Sequence, residues 1–216
     1  MKISTRAAAI LPAILLCLPL PAPADDCHSE HAAEPARPAA AAEAAKVGSM
    51  NIPDVELVDQ DGNEVHFFSD LVEDRVVAMN FIFTTCTTIC PPMGANFSKL
   101  QKLLGEDTRV EMISVSVDPV VDTPQRLKIW GDKFGRAPGW TLLTGSKAQV
   151  DRLLKSLQVF TADKTDHSPI VLLGNAASNR WTRTYGLTAP AQLAEMVAKL
   201  ADGQQFASVT ETEEGR

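Results

Sequence analysis

The sequence is short of positive charge. Its 20 lysines and arginines face 27 aspartates and glutamates over 216 residues, a formal net charge of −7. That balance has no pull on phosphate backbones or anionic lipid, which argues against nucleic-acid binding and against membrane adsorption by charge alone. Long apolar runs are missing as well. The longest, "AAAILPAILLCLPLPA", is broken by Pro12 and Pro19 and falls short of the roughly 20 residues that a bilayer-spanning helix needs. No internal repeat is visible, and cysteine is scarce, with Cys17, Cys27, Cys86 and Cys90 the complete set.

What is present begins with an address. "MKISTR" carries two positive charges, an apolar run follows, and Ala22-Pro23-Ala24 forms an A-x-A cleavage signature. This three-part layout predicts a cleavable secretory signal over residues 1–24 and a periplasmic protein, with a retained anchor facing the periplasm as the alternative. Leu16 precedes Cys17 where a lipoprotein signal wants a small residue. Cleavage removes Lys2 and Arg6, taking the net charge from −7 to −9, and also removes Cys17. Cys27, Cys86 and Cys90 remain, an odd number for an oxidising compartment, so at least one thiol has no intrachain partner or has another task.

Residues 25–49, "DDCHSEHAAEPARPAAAAEAAKVGS", are rich in Ala, Pro and charge without apolar periodicity, and are expected to form a linker. Residues 202–216 read as a loose acidic tail. Residues 50–201 between them have the size of one domain. Apolar alternation on either side of Asp61-Gly62 predicts a β-hairpin through "DVELVDQDGNEVHFF". "RVVAMNFIF" and "RVEMISVSV" read as central strands covered on both faces. A helix is expected over residues 92–104, with Met93, Phe97, Leu100 and Leu104 on one face. Thr123 and Ser146 are expected to cap two further helices. "WTLLTG", "PIVLLGN" and "RWTRTYG" read as strands, and "APAQLAEMVAKL" as a final amphipathic helix. Strands alternating with helices predict an α/β domain.

The chemistry concentrates in "FIFTTCTTICPPM", residues 81–93. Cys86 follows a predicted central strand, and Cys90 abuts a helix start where unsatisfied N–H groups favour a thiolate. Three intervening residues leave three readings open: a disulfide switch, a metal clamp, or two inert buried thiols. His167, in the polar loop "TADKTDHSPI", is the candidate third ligand, because loops at the carboxyl end of central strands are where α/β sheets bind ligands. His66 alternates with Val65 and Phe67 in the hairpin and is expected to face water. Cys27, His28 and His31 are metal-capable side chains in the linker, either a solvated tail or a copper-gathering arm. Pro169, just ahead of a strand, raises the expectation of a cis Ser168–Pro169 bond.

Together "FIFTTCTTICP", "SVDPVVDTPQRLKIW", "WTLLTG" and "DHSPIVLLGN" resemble, in family order, the Sco/SenC proteins, exported copper metallochaperones for cytochrome c oxidase. The resemblance spans roughly residues 50–201. It implies a thioredoxin-like fold, a central mixed sheet flanked by helices, with an added N-terminal β-hairpin. It also implies that Cys86, Cys90 and His167 are copper ligands for Cu(I) and/or Cu(II), with Cys86 and Cys90 as redox-active thiols. The implied activity is delivery of copper to, or reduction of, the two cysteines of the dinuclear copper site of cytochrome c oxidase subunit II. Another copper protein, copper carriers and thiol–disulfide proteins are further partners to expect, with the chain itself a monomer. The family often carries Pro-Asp between the cysteines; this chain has Thr87-Thr88-Ile89.

Two thiolates and one imidazole suit copper, whereas a closed structural zinc site wants a fourth protein ligand that the core motifs do not supply. The alternatives are a thiol–disulfide oxidoreductase, which needs no histidine, and a redox- or copper-responsive signalling module. A thiol peroxidase would want an arginine near its cysteine, and this loop has none.

Overall fold

The computed structural model describes residues 45–47, 49–105, 109–185 and 187–203. The expected signal segment, the Cys27/His28/His31 stretch and residues 204–216 of the expected tail lie outside the described residues. Eight described strands form one sheet. In chain order they are β1 (Ala45–Val47), β2 (Glu56–Asp59), β3 (Glu64–His66), β4 (Val76–Ile82), β5 (Val110–Ser116), β6 (Trp140–Thr144), β7 (Ile170–Asn175) and β8 (Arg180–Tyr185). Their spatial order is β1-β8-β7-β4-β5-β6-β2-β3. β4, β5 and β6 run parallel and the remaining pairs antiparallel. The helices are α1 (Phe67–Leu71), α2 (Cys90–Leu104), α3 (Pro124–Asp132), α4 (Lys147–Ser156) and α5 (Pro190–Ala201). This is the expected α/β architecture of a mixed sheet flanked by helices, with an N-terminal hairpin joined to it through β2 and β6.

The continuous apolar runs are strands buried on both faces, every residue of β4 and β5 included. Val77, Met79 and Phe81 of β4 face a core built with Val150, Leu153 and Leu154 of α4 and with Trp181 of β8. Val76, Ala78 and Ile82 face the opposite way, onto Phe97 and Leu100 of α2, Trp130 of α3, Trp140 of β6 and Leu193 and Val197 of α5. Period-two alternation thus gives one strand to two separate cores. Trp181 lies so close over Gly174 of β7 that a Cβ there would stand 1.9 Å from its ring.

The expected caps form. Thr123 Oγ1 accepts from Arg126 N at 3.3 Å, and Ser146 Oγ from Gln149 N at 3.3 Å. Four local expectations are corrected. The hairpin does not continue through "HFF": Asp54 Oδ1 accepts from the N–H groups of Phe68 and Ser69, at 2.9 and 3.1 Å, and nucleates α1 there. α2 begins at Cys90 rather than residue 92, with Pro91 and Pro92 in the first turn, where no N–H is needed. Residues 45–47, expected within the linker, pair with β8 as β1. The Ser168–Pro169 bond is trans, because no described peptide bond is cis; the 3₁₀ turn at Lys164–Asp166 already bends the chain, and His167 is extended as it leaves it.

Candidate metal centre

β4 ends at Ile82, and the chain turns through Phe83 to Ile89 before α2 starts. The turn is fixed by its own hydrogen bonds. Cys86 N donates to Phe83 O at 3.1 Å, and Cys90 N donates to Cys86 Sγ at 3.4 Å. Thr88 Oγ1 lies 3.7 Å from the same sulfur. Cys86 therefore sits over the N-terminus of α2, where the Cys90 N–H and the helix dipole favour negative charge, Pro91 and Pro92 having no N–H to add. Both cysteines are free thiols, 9% and 0% exposed.

Their environments push them apart. Burial raises the Cys86 thiol, but hydrogen bonds from Cys90 and Thr88 more than offset it and bring it down to about 7. Burial pushes Cys90 up to about 12, helped by its bond to Cys86 and by the charges of Cys86 and Asp122. One thiol ionises near neutral pH; the other holds its proton.

A buried carboxylate holds this turn. Asp122, fully enclosed, accepts from Thr84 N at 3.1 Å and Thr84 Oγ1 at 2.5 Å through Oδ1. Its Oδ2 accepts from Ser116 Oγ, at the end of β5, at 2.6 Å. Arg126 Nε donates to Thr84 Oγ1 at 3.2 Å. The cysteine turn is thereby tied to β5 and to the start of α3.

His167 follows the 3₁₀ turn, which Asp163 caps by accepting from Thr165 N at 2.8 Å. Antiparallel pairing of β7 with β4, Val171 opposite Asn80, returns the chain ahead of β7 beside the residues that follow β4. His167 is 8% exposed, its ring is edge-on to Phe81 at 6.5 Å, and neither ring nitrogen has a hydrogen-bond partner. Burial holds its pKa below the usual value, so the imidazole is neutral near pH 7 and both nitrogens are chemically uncommitted.

The cysteines are brought together, and His167 is carried to the same end of the sheet. The three are not assembled: among the described residues no three His, Cys, Asp or Glu side chains are gathered closely enough to hold a metal ion. His66 is exposed on the hairpin, as expected. Thr84, Asp118, Asp122 and Lys164 escaped the sequence reading. The signal for the two aspartates was their spacing of four in "SVDPVVDTP", bracketing the turn between a buried strand and a Thr-Pro helix start.

The SCO1/SenC family profile matches residues 44–202. The chain is similar to the SCO1 protein homolog of Bacillus subtilis, 41% identical over 103 residues that make up 46% of this chain and 52% of the relative. It spans about half the length of the curated relatives it matches. Among solved structures it is similar to ScoI of Bradyrhizobium japonicum with copper bound, at 25% identity and a TM-score of 0.58 over 69% of this chain and 99% of that one. It is also similar to BsSco, described as a Sco-family cytochrome c oxidase assembly protein with a disulfide switch, at 28% identity and a TM-score of 0.58 over 72% and 98%. The thioredoxin-like fold expected from the sequence is the observed one. Among the described residues no helix is long and apolar enough to cross a membrane.

Proposed function

The chain belongs to the SCO1/SenC family, and from that premise we propose that it is a copper metallochaperone acting in cytochrome c oxidase assembly. Copper is its cargo, held by Cys86, Cys90 and His167. One observation carries this reading: two free thiols share a hydrogen-bonded turn on a helix N-terminus, at the sheet end to which a buried imidazole with two unpartnered nitrogens also returns. Soft sulfur suits Cu(I), and imidazole suits either oxidation state. Two thiolates around Cu(I) leave a net charge of −1, which the Cys90 N–H and the dipole of α2 stabilise. Three protein ligands leave the shell open to an incoming thiol, as a donor requires. The receiving site is the dinuclear copper site of oxidase subunit II or a similar dithiol site, in the periplasm, reached by the signal over residues 1–24. Copper-bound ScoI and the oxidase-assembly role of BsSco support the reading.

A second reading is favoured by the opposed proton affinities of the two thiols. The Cys86 thiolate would attack a partner disulfide, Cys90 would resolve the mixed disulfide, and the partner would leave with two thiols while Cys86 and Cys90 leave oxidised.

Anaerobic copper titration of the reduced protein separates the two. Tight one-to-one binding that is lost in His167→Ala supports the metallochaperone. Binding indifferent to His167, with fast disulfide exchange, overturns it in favour of the oxidoreductase. A chain lacking residues 25–44, a deletion that spares β1, completes the experiment: loss of a second copper equivalent would make Cys27, His28 and His31 a copper arm.

A further inference from the structure

We propose that Lys164 and Asp118 form a clasp that fixes where His167 stands relative to the cysteine turn, an inference that rests on the copper-site reading above. Lys164 begins the 3₁₀ turn that ends in His167, whose N–H donates to Lys164 O at 3.3 Å. The Lys164 ammonium ion-pairs with Asp118 Oδ2 and lies 5.5 Å from the centre of the Phe83 ring. Phe83 is the residue ahead of Thr84, so one side chain touches both the loop after β5 and the entry to the cysteine turn.

The contact continues inward. Asp118 N donates to Ser116 Oγ at 3.0 Å, Ser116 Oγ donates to Asp122 Oδ2 at 2.6 Å, and Asp122 grips Thr84. The histidine-bearing turn and the cysteine turn are thus braced against the same short segment, residues 116–122. Neither side chain has a described contact with Cys86, Cys90 or the His167 ring, and Lys164 meets His167 only through its backbone carbonyl; they are positioning residues.

Two physical considerations give the clasp its role. Partly exposed ion pairs add little to overall stability, so the double anchoring of Lys164 is not needed for folding. Meanwhile His167 is buried with both nitrogens unpartnered, an arrangement that costs free energy and persists only where neighbours hold it. Its ring has one described aromatic neighbour, Phe81, and its backbone hangs from Lys164. Opening the clasp frees the turn to carry the ring into water, where both nitrogens find partners. Closing it returns a dry, neutral ligand to the sheet end where the sulfurs wait.

The test has two arms, both on the full chain. In the copper-free protein, the rate at which diethyl pyrocarbonate modifies His167 is read peptide by peptide, with exposed His66 as the internal reference. Lys164→Ala and Asp118→Asn should raise the His167 rate about tenfold through more frequent local opening, and Lys164→Arg should restore it. In the copper arm, the first two variants should bind about tenfold more weakly with a Cu(II) spectrum shifted towards that of His167→Ala, while Lys164→Arg keeps the wild-type spectrum. Wild-type modification rates together with a wild-type copper spectrum in both cut variants would overturn the clasp. If the wild-type chain fails to bind copper, the site reading falls, yet the modification arm still decides the clasp. Should either cut variant be unstable to heat, the charge-swapped pair Lys164→Asp/Asp118→Lys keeps the ion pair but loses the cation over Phe83, and its modification rate must fall below that of either cut variant; a rate as high as theirs would overturn the clasp.

Discussion

Cys86 and Cys90 are four residues apart and chemically opposed. Cys86, drawn down to about 7, should react with iodoacetamide along a pH curve with its midpoint near 7, while Cys90, pushed up to about 12, stays unmodified across that range. Mass mapping of the two peptides checks this. Stability follows the same signs. The Cys86 thiolate contributes stability fully present above its unfolded value of about 9 and lost as pH falls through 7. Cys90 is the reverse: its contribution is present below about 9 and is lost as pH climbs through 12. Reduced protein melted in urea should therefore gain stability from pH 7 to 9, and Cys86→Ser should flatten that rise. Cys86 and Cys90 stood out by residue type and spacing, whereas His167, a lone loop histidine, was assigned as a ligand through the family resemblance. Asp122 was not, because an aspartate before Thr-Pro also reads as ordinary helix-start chemistry; only the tertiary contact with Thr84 reveals its second task. Asp122→Asn should release the cysteine turn and cost about 1–3 kcal/mol, seen as a lower urea midpoint with an unchanged slope.

Elements were most legible where a local signal decided them. α3 and α4 have Thr123 and Ser146 where a side-chain oxygen can cap the first turn, and Thr123→Ala should cost about 1 kcal/mol by urea denaturation. β4 and β5 announced themselves as unbroken apolar runs of strand length. β1 was illegible: "AKV" lies in an alanine-rich stretch without alternation, and it becomes a strand only because β8 offers an edge. α1 was hidden for a related reason, since the carboxylate that starts it, Asp54, sits 14 residues before Phe68. Gly174 was quoted within a strand without its reason being visible. Trp181 occupies the place of its Cβ, so Gly174→Ala must displace the indole and should cost about 1–3 kcal/mol, the range for overpacking.

At the scale of the molecule, one sheet divides two cores and gathers its chemistry at a single end. The Phe83–Cys90 turn, the loop after β5 and the His167 loop all meet there, linked through Thr84, Asp122, Ser116, Asp118 and Lys164. Copper bound across these loops should stabilise the whole fold. By mass action, an excess of 100 times Kd adds about 2.7 kcal/mol. The thermal midpoint should rise with copper in the wild-type chain and rise less in His167→Ala, as differential scanning fluorimetry would record.

The placement of the indoles turns the sheet into an optical partition. Trp130 and Trp140 emit from one core and Trp181 from the other, and the sequence holds no fourth tryptophan. Replacing Trp181 with phenylalanine leaves a chain that glows from one layer alone, while replacing Trp130 and Trp140 together leaves the opposite lamp lit. Copper bound at the shared end would quench each by its distance, so a pair of intensity traces should tell which side of the sheet lies nearer the metal.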